Sequence, residues 1–395
     1  MVKQLVSLLL AASLSGIAGA HDHAPGPAAK PDYATIWLER QEKAPRLAIA
    51  ADFDAEGRLW LARAIGKQLW VNRSDDAGRT FSSPVLVNSL PELISADGES
   101  RPQIAVVGQD VYVSWTQALP QPFAGHIRFA ASHDGGANFG EVRTVNDDTR
   151  PITHRFNAML ADRNGVTLAW IDKRDGSGRQ DYTGAAIYTA RSVDGGRSFE
   201  ANRKLADHSC ECCRLGIAAD RDGVPVIFWR HIFGRNVRDF ALARLGGEVQ
   251  RASHDGWEID ACPHHGGALA VDDKAGRHIV WFTGAEKTLG LHYRRIDGEH
   301  LGHDFAFGNL DHQAAHPMVA TLGDTVQLVW REYDGKLHRI MGMSSHDRGE
   351  HWSAPLELAN TAGAADDPLV RNGRGGLWLI WNTADDGLRI QKLTP

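Results

Sequence analysis

The four cysteines of this 395-residue chain fall in two short stretches that also hold histidine. The first reads His208-Ser209-Cys210-Glu211-Cys212-Cys213-Arg214 and the second Cys262-Pro263-His264-His265. Thiolate and imidazole together suit copper(I) or zinc, and Cys-x-Cys-Cys with Cys-x-His-His offers more donors than three- or four-fold coordination needs. His208, Cys210, Cys212, Cys213, Cys262, His264 and His265 are therefore candidate metal ligands. No zinc-finger spacing is matched. The competing chemistry is disulfide formation, for which four cysteines allow three pairings. A bridge from the Cys210–Cys213 run to Cys262 would staple the two stretches, whereas a Cys212–Cys213 bond would be strained.

The N-terminus bears on both readings. Lys3, the apolar run Leu5–Leu14 and the small-residue site Ala18-Gly19-Ala20 have the form of an export signal. The expected organisation is a signal peptide over 1–20, a polar leader over 21–32 and one domain over 33–395. A periplasmic or secreted product is expected, in a compartment that permits disulfides. Cleavage after Ala20 would leave His21-Asp22-His23 at the new terminus. A free amine, two backbone amides and a third-place imidazole form a square-planar nitrogen site for copper(II) or nickel(II). His21 and His23 thus join the candidate ligands, and copper is favoured over zinc because it suits both regions. No later segment is long and apolar enough to span a bilayer.

Composition narrows the partners. Hydrophobic residues make up 43% and charged residues 23%, as in an ordinary globular protein. Lys plus Arg number 43 against 49 Asp plus Glu, which argues against nucleic acid as the main partner.

The elements that must position these residues show in an internal repeat. An apolar run, a turn and a second apolar run ending in tryptophan recur at Trp115, Trp170, Trp229, Trp281, Trp330 and Trp381, at intervals of 49 to 59 residues. Leu47–Ala51 with Leu59–Ala62 fits one period upstream, with Arg63 in the tryptophan place. Runs of Val, Ile, Leu, Trp and Tyr separated by Gly-Asp or Asp-Gly read as strands, and no long 3.6-residue stripe appears. Several short strands per fifty-residue unit specify an all-β propeller of four-stranded antiparallel blades. Seven blades are expected, with six as the alternative. Tyr33–Leu38 is expected to add a strand to the last blade and close the ring.

In a propeller, the segments leading into the inner strands share one face, at the mouth of the central channel. Aligning the repeats sets Cys213 beside His265 and Cys210 beside Cys262, on consecutive blades. Arg46, Arg101, His154, Arg155, Arg214 and His316 fall in equivalent segments, as do Asp366 and Asp367. They are candidate ligand-binding residues at the same mouth.

A second repeat has the form Ser-x-Asp-x-Gly-x-x-aromatic, at Ser74–Phe81, Ser132–Phe139, Ser192–Phe199 and Ser345–Trp352. Its Ser and Asp are suited to bond nearby backbone while Gly takes a positive φ. The pattern resembles the Asp-box, or bacterial neuraminidase repeat, of sialidase-like propellers. The resemblance implies a structural role for Asp76, Asp134, Asp194 and Asp347 on hairpins away from the substrate face. It also implies three arginines for a substrate carboxylate, a Tyr–Glu nucleophile pair and an Asp acid. Arg46 in Pro45-Arg46-Leu47-Ala48 matches the first arginine without its flanking aromatic and proline. Ala62–Lys67 lacks the acid, and Glu332-Tyr333 reads as a strand end. Three functions are open: metal handling at the Cys/His cluster, an exo-sialidase or other glycoside hydrolase or lyase, and a module binding a protein or glycan without catalysis.

Overall fold

The structure is a computed structural model that describes residues 32–394. The signal stretch, His21 and His23 lie outside the described residues. Seven antiparallel sheets follow one another along the chain, six of four strands and the last of three. Within each sheet the strands neighbour one another in chain order. Their inner strands are Ile49–Phe53, Gln103–Val107, His154–Asp162, Gly216–Ala219, Ala268–Val271, Ala315–Leu322 and Leu369–Gly373. Each contacts the inner strand of the next blade, and that of blade 7 returns to that of blade 1, so the ring is closed with seven blades.

The repeated tryptophans explain the period. Trp115, Trp170, Trp229, Trp281, Trp330 and Trp381 lie in the second strands and are wholly buried. Each contributes a large apolar surface that a lone blade could not cover. Each indole N–H also has an acceptor: Glu92, Asp172, His231, Asp255 and Glu332 side chains and the Asp366 carbonyl. Glu332 is thereby committed to structure, since it also accepts from the Asn309 amide.

Tyr33–Leu38 is not the closing strand. It belongs to a helix, Tyr33–Lys43, whose N-cap Asp32 accepts from the Thr35 amide at 2.8 Å. The run Glu39-Arg40-Gln41-Glu42-Lys43 consists of strong helix formers, and this local preference with the cap outweighs the β-prone start. Ring closure instead uses the inner strands. Leu369 and Ile380 of blade 7 pack with Ile49 and Leu61 of blade 1. Arg371 donates to the Ala51 carbonyl at 2.9 Å and Asn382 to that of Leu47 at 2.8 Å.

The Asp-boxes fold as their residues predict. In all four, the Ser hydroxyl donates to the Asp carboxylate at 2.7–2.8 Å. That carboxylate accepts the backbone amide four residues later at 2.8–2.9 Å. The hydrogen bonds of the box hold the Asp pKa values down, to about 2 for Asp76, led by the Thr80 amide, and to about 2 for Asp134, led by the Asn138 side chain. Each box follows a third strand. A strand order of out, back and out again puts the boxes on the face opposite the mouth.

Candidate functional site

All seven lead-in segments converge on one cavity of about 970 Å³ at the mouth, reached by Leu47, Glu99, Arg155, Cys212, His265, His316 and Asp367 from blades 1 to 7. The N-terminal helix overhangs it through Trp37, whose ring lies 4.5 Å from Phe123. Below it, a cavity of about 630 Å³ continues down the channel and shares Glu99 and Asp367 as lining.

Glu99 is the hub of the mouth. It accepts the Arg214 amide and guanidinium, both at 2.8 Å, the Gly266 amide at 2.9 Å and His316 Nδ1 at 3.0 Å. Burial alone would raise its pKa, but Arg214 and His316 reverse this and keep it ionised. His316 also meets Asp367 at 3.2 Å, and Arg331 pairs with Asp367 at 2.9 Å. Burial pushes Asp367 up, while His316, Arg331 and Arg214 outweigh it and hold the pKa low. The neighbouring Asp366 is raised to about 6 by burial despite its bidentate pair with Arg101. Close approach explains Gly98 and Gly266: a Cβ on either would collide, with the Asp367 carboxylate and with Arg214 respectively.

Arg155 behaves differently. It is 6% exposed, lines the cavity and lies against Phe156 and Trp37, 5.0 and 5.8 Å from their ring centres. Among the described residues no carboxylate forms an ion pair with it, and its Nε has no hydrogen-bond partner. Burial lowers its pKa, opposed by the nearby Asp97 carboxylate. Its neighbours are otherwise paired, as Lys173 is with Glu211 at 2.7 Å.

The backbone around the cavity is strained. Phe123, Phe156, His264 and His316 line it with φ between 52° and 62°, a left-handed conformation unusual for such side chains. Two of them sit at irregularities in strand pairing, Phe156 beside Ala169/Ile171 and His316 within Ala315/Met318. Bulges of this kind re-aim side chains at sites.

The sulfur cluster forms part of the same wall. Cys210 Sγ lies 3.9 Å from both Cys212 Sγ and Cys213 Sγ, all three buried. Cys262 is exposed and borders the same cavity as Cys212, from the lead-in segment of the next blade. All four are free thiols, so none of the pairings considered above is formed. Hydrogen bonds from Cys212 and Cys213, with the Arg238 charge, drive the Cys210 thiol well below its usual pKa, whereas burial pushes Cys213 up. The close group contains the three sulfurs of blade 4 and no imidazole. His208 is exposed, lies tilted against the Tyr182 ring and bonds the Thr183 carbonyl. His264 lines the cavity, and His265 stacks on Phe282 at 4.3 Å, with the His316 ring tilted beside it at 5.0 Å.

Four of the six candidate ligand-binding residues do not line this cavity, and Arg214 among them lines the cavity below it. Arg46 turns to the Gln41 carbonyl at 3.3 Å. Arg101 is buried at the seam of blades 7 and 1. His154 is buried, bonded to the Gly125 carbonyl at 2.9 Å. The mouth alignment located their backbones, but alternation along a strand sends adjacent side chains to opposite faces. Sequence reasoning missed Glu99, Trp37, Lys173 and Arg331. Glu99 precedes Arg101 in the same lead-in segment, and Lys173 and Arg331 follow Trp170 and Trp330 closely, at the ends of second strands that return to this face. Those positions were the available signal.

No protein-family model and no curated protein matches the chain. Solved propellers match in fold. A PL25 polysaccharide lyase, an ulvan lyase bound to -[GlcA(1-4)Rha3S]-, has a TM-score of 0.57 at 11% identity, over 89% of this chain and 93% of that one. The polysaccharide lyase Uly1 gives 0.53 at 9% identity, over 87% and 90%. The BP39L lectin from Burkholderia pseudomallei gives 0.51 at 10%, over 88% and 98%. At such identities the likeness is one of fold.

Proposed function

We propose that the mouth cavity binds an acidic sugar of a polysaccharide and that the protein cleaves that polymer by elimination beside the acid group. The carrying observation is Arg155, a buried cation that lines the cavity without an anionic partner. A guanidinium in that state has a strong demand for a carboxylate or sulfate. Trp37 and Phe156 beside it supply flat apolar surface for a sugar ring. The fold likeness to two polysaccharide lyases and a lectin supports a glycan ligand.

The carboxylates favour elimination over hydrolysis. A hydrolytic pair needs one carboxyl protonated to act as acid. Glu99 and Asp367 are both held ionised by arginine and histidine. Elimination from a uronate needs other groups. Arg155 would pair the carboxylate and stabilise the charge that builds there as the adjacent C5–H is lost. An imidazole takes that proton, the C4–O4 bond breaks, the C4=C5 double bond forms and the leaving oxygen is protonated. His264 borders the cavity, and His265 is kept neutral because burial, helped by His316, lowers its pKa to about 3.

The test is incubation with a panel of uronate-containing, sulfated and neutral polysaccharides. The expected result is ultraviolet absorbance from the new double bond with acidic polymers only, lost on Arg155→Ala together with a roughly 10- to 100-fold fall in binding. New reducing ends without that absorbance would make the protein a hydrolase. Equal binding of neutral polymers, or binding unchanged by Arg155→Ala, would overturn the assignment.

A further inference from the structure

The wall behind Arg155 carries a feature that glycan binding does not use. We propose that Cys210, Cys212, Cys213 and Cys262 hold one soft d10 cation, zinc(II) or copper(I), which ties blade 4 to blade 5. Three independent observations lead there, and none depends on the glycan reading.

The first is distance. Sulfurs sharing a metal at about 2.3 Å lie about 3.8 Å apart in a tetrahedral site and about 4.0 Å apart in a trigonal one. Cys210 Sγ is 3.9 Å from each of its two neighbours, and all three sulfurs lie within 4.8 Å of one another. A disulfide would need about 2.05 Å. Cys262, which borders the cavity beside Cys212 from the next blade, is the available fourth donor.

The second is charge. Arg230 and Arg238 are 1% and 7% exposed. Among the described residues neither pairs with a carboxylate. Arg230 donates to the carbonyls of Arg238, His265 and Phe282. Arg238 donates to the Ile259 carbonyl and, at 3.0 Å, to Cys210 Sγ. Two buried guanidinium groups without counter-ions are costly. Four thiolates around zinc(II), or three around copper(I), leave two negative charges, which these arginines match.

The third is satisfaction. Three buried thiols whose hydrogen bonds run chiefly to one another gain little, whereas a metal uses every sulfur lone pair directed inward. The site is sulfur-only: the close group holds no imidazole, and His208 and His265 have their own contacts. The metal would act as a staple. Lead-in segments of consecutive blades would be joined at the point where Cys212 and Cys262 border the cavity.

The experiment uses the full chain exported with its own N-terminus and purified without a tag or chelator. Elemental analysis is expected to find about one zinc or copper per chain, and X-ray absorption at that element's edge a shell of sulfur alone near 2.3 Å. The two edges distinguish the metals. Thiol reagent should titrate no cysteine until a chelator is added, and metal removal should lower the melting temperature, restored by adding the ion back. Cys210→Ser and Cys213→Ser should lose at least nine-tenths of the metal, and His208→Ala should retain it. A sulfur shell of the same number in Cys262→Ser as in the native protein would overturn the four-thiol set. Failure of the reduced protein to take up either ion, or a nitrogen-containing shell, would overturn the sulfur-only site altogether.

Discussion

Arg155 and Glu99 carry opposite charges at one rim and are solved in opposite ways. Glu99 has four donors, two of them from Arg214, so its ionised form belongs to the protein's own framework. Arg155 has no ion-pair partner among the described residues, and its Nε is unbonded. His265 makes a third case. Burial, then the nearby His316, lowers its pKa from 6.5 to about 3. In the unfolded chain it would protonate near 6.5, so below that pH the unfolded state binds a proton that the folded state refuses. Its contribution to stability is therefore intact above pH 6.5 and lost as pH falls from 6.5 towards 3, by at most about 1.4 kcal/mol per pH unit. His265→Gln should flatten this slope. Urea unfolding at about pH 7.5 and about pH 4.5 checks it; an acid loss as steep in the variant as in the native protein would contradict a buried neutral imidazole.

At the scale of elements, the two faces of the blades divide their labour. The Asp-box hairpins bond their own backbone on the far face, while bulges and left-handed residues crowd the mouth. Ser192 is buried, donates to Asp194 and accepts the Gly196 amide at 2.8 Å. Ser192→Ala leaves that amide without a partner and should cost about 1–3 kcal/mol in unfolding experiments. Binding of acidic glycan at native temperature should not change, because the hairpin is remote from the cavity. A loss of binding in the folded variant would show that the two faces are coupled. The helix Tyr33–Lys43 teaches a different lesson. Its apolar start resembled a strand, and it took the Asp32 cap and the charged run after Leu38 to decide otherwise.

At the scale of the molecule, the ring closes without an exchanged strand, so the seam between blades 7 and 1 depends on inner-strand packing and one buried ion pair. Arg101 donates to both Asp366 oxygens and to the carbonyls of Ile49 and Asp367. Arg101→Met should destabilise the native state by about 3–5 kcal/mol, since it strands a buried carboxylate. Adding Asp366→Asn should recover part of that loss, measured as the urea midpoint at neutral pH. Equal stability of the single variant and the native protein would mean that apolar packing alone holds the seam.

The blade number, the six buried tryptophans and the four Asp-box turns were legible in the sequence, because each is set by local patterning repeated at a fixed period. The common mouth of the Cys and His segments was legible too, since periodicity implies equivalent places around a ring. Which side chains enter that mouth was not. Arg101 and Arg155 occupy matching segments, yet one is spent on the seam and the other is left open, a choice made by Asp366 265 residues away in the chain. Likewise sequence alone placed imidazole beside sulfur, and tertiary packing separated them by turning His265 onto Phe282 and gathering the thiols against Arg238. Repetition along the chain determines architecture, but charge pairing and burial between distant segments determine which groups remain free for a ligand.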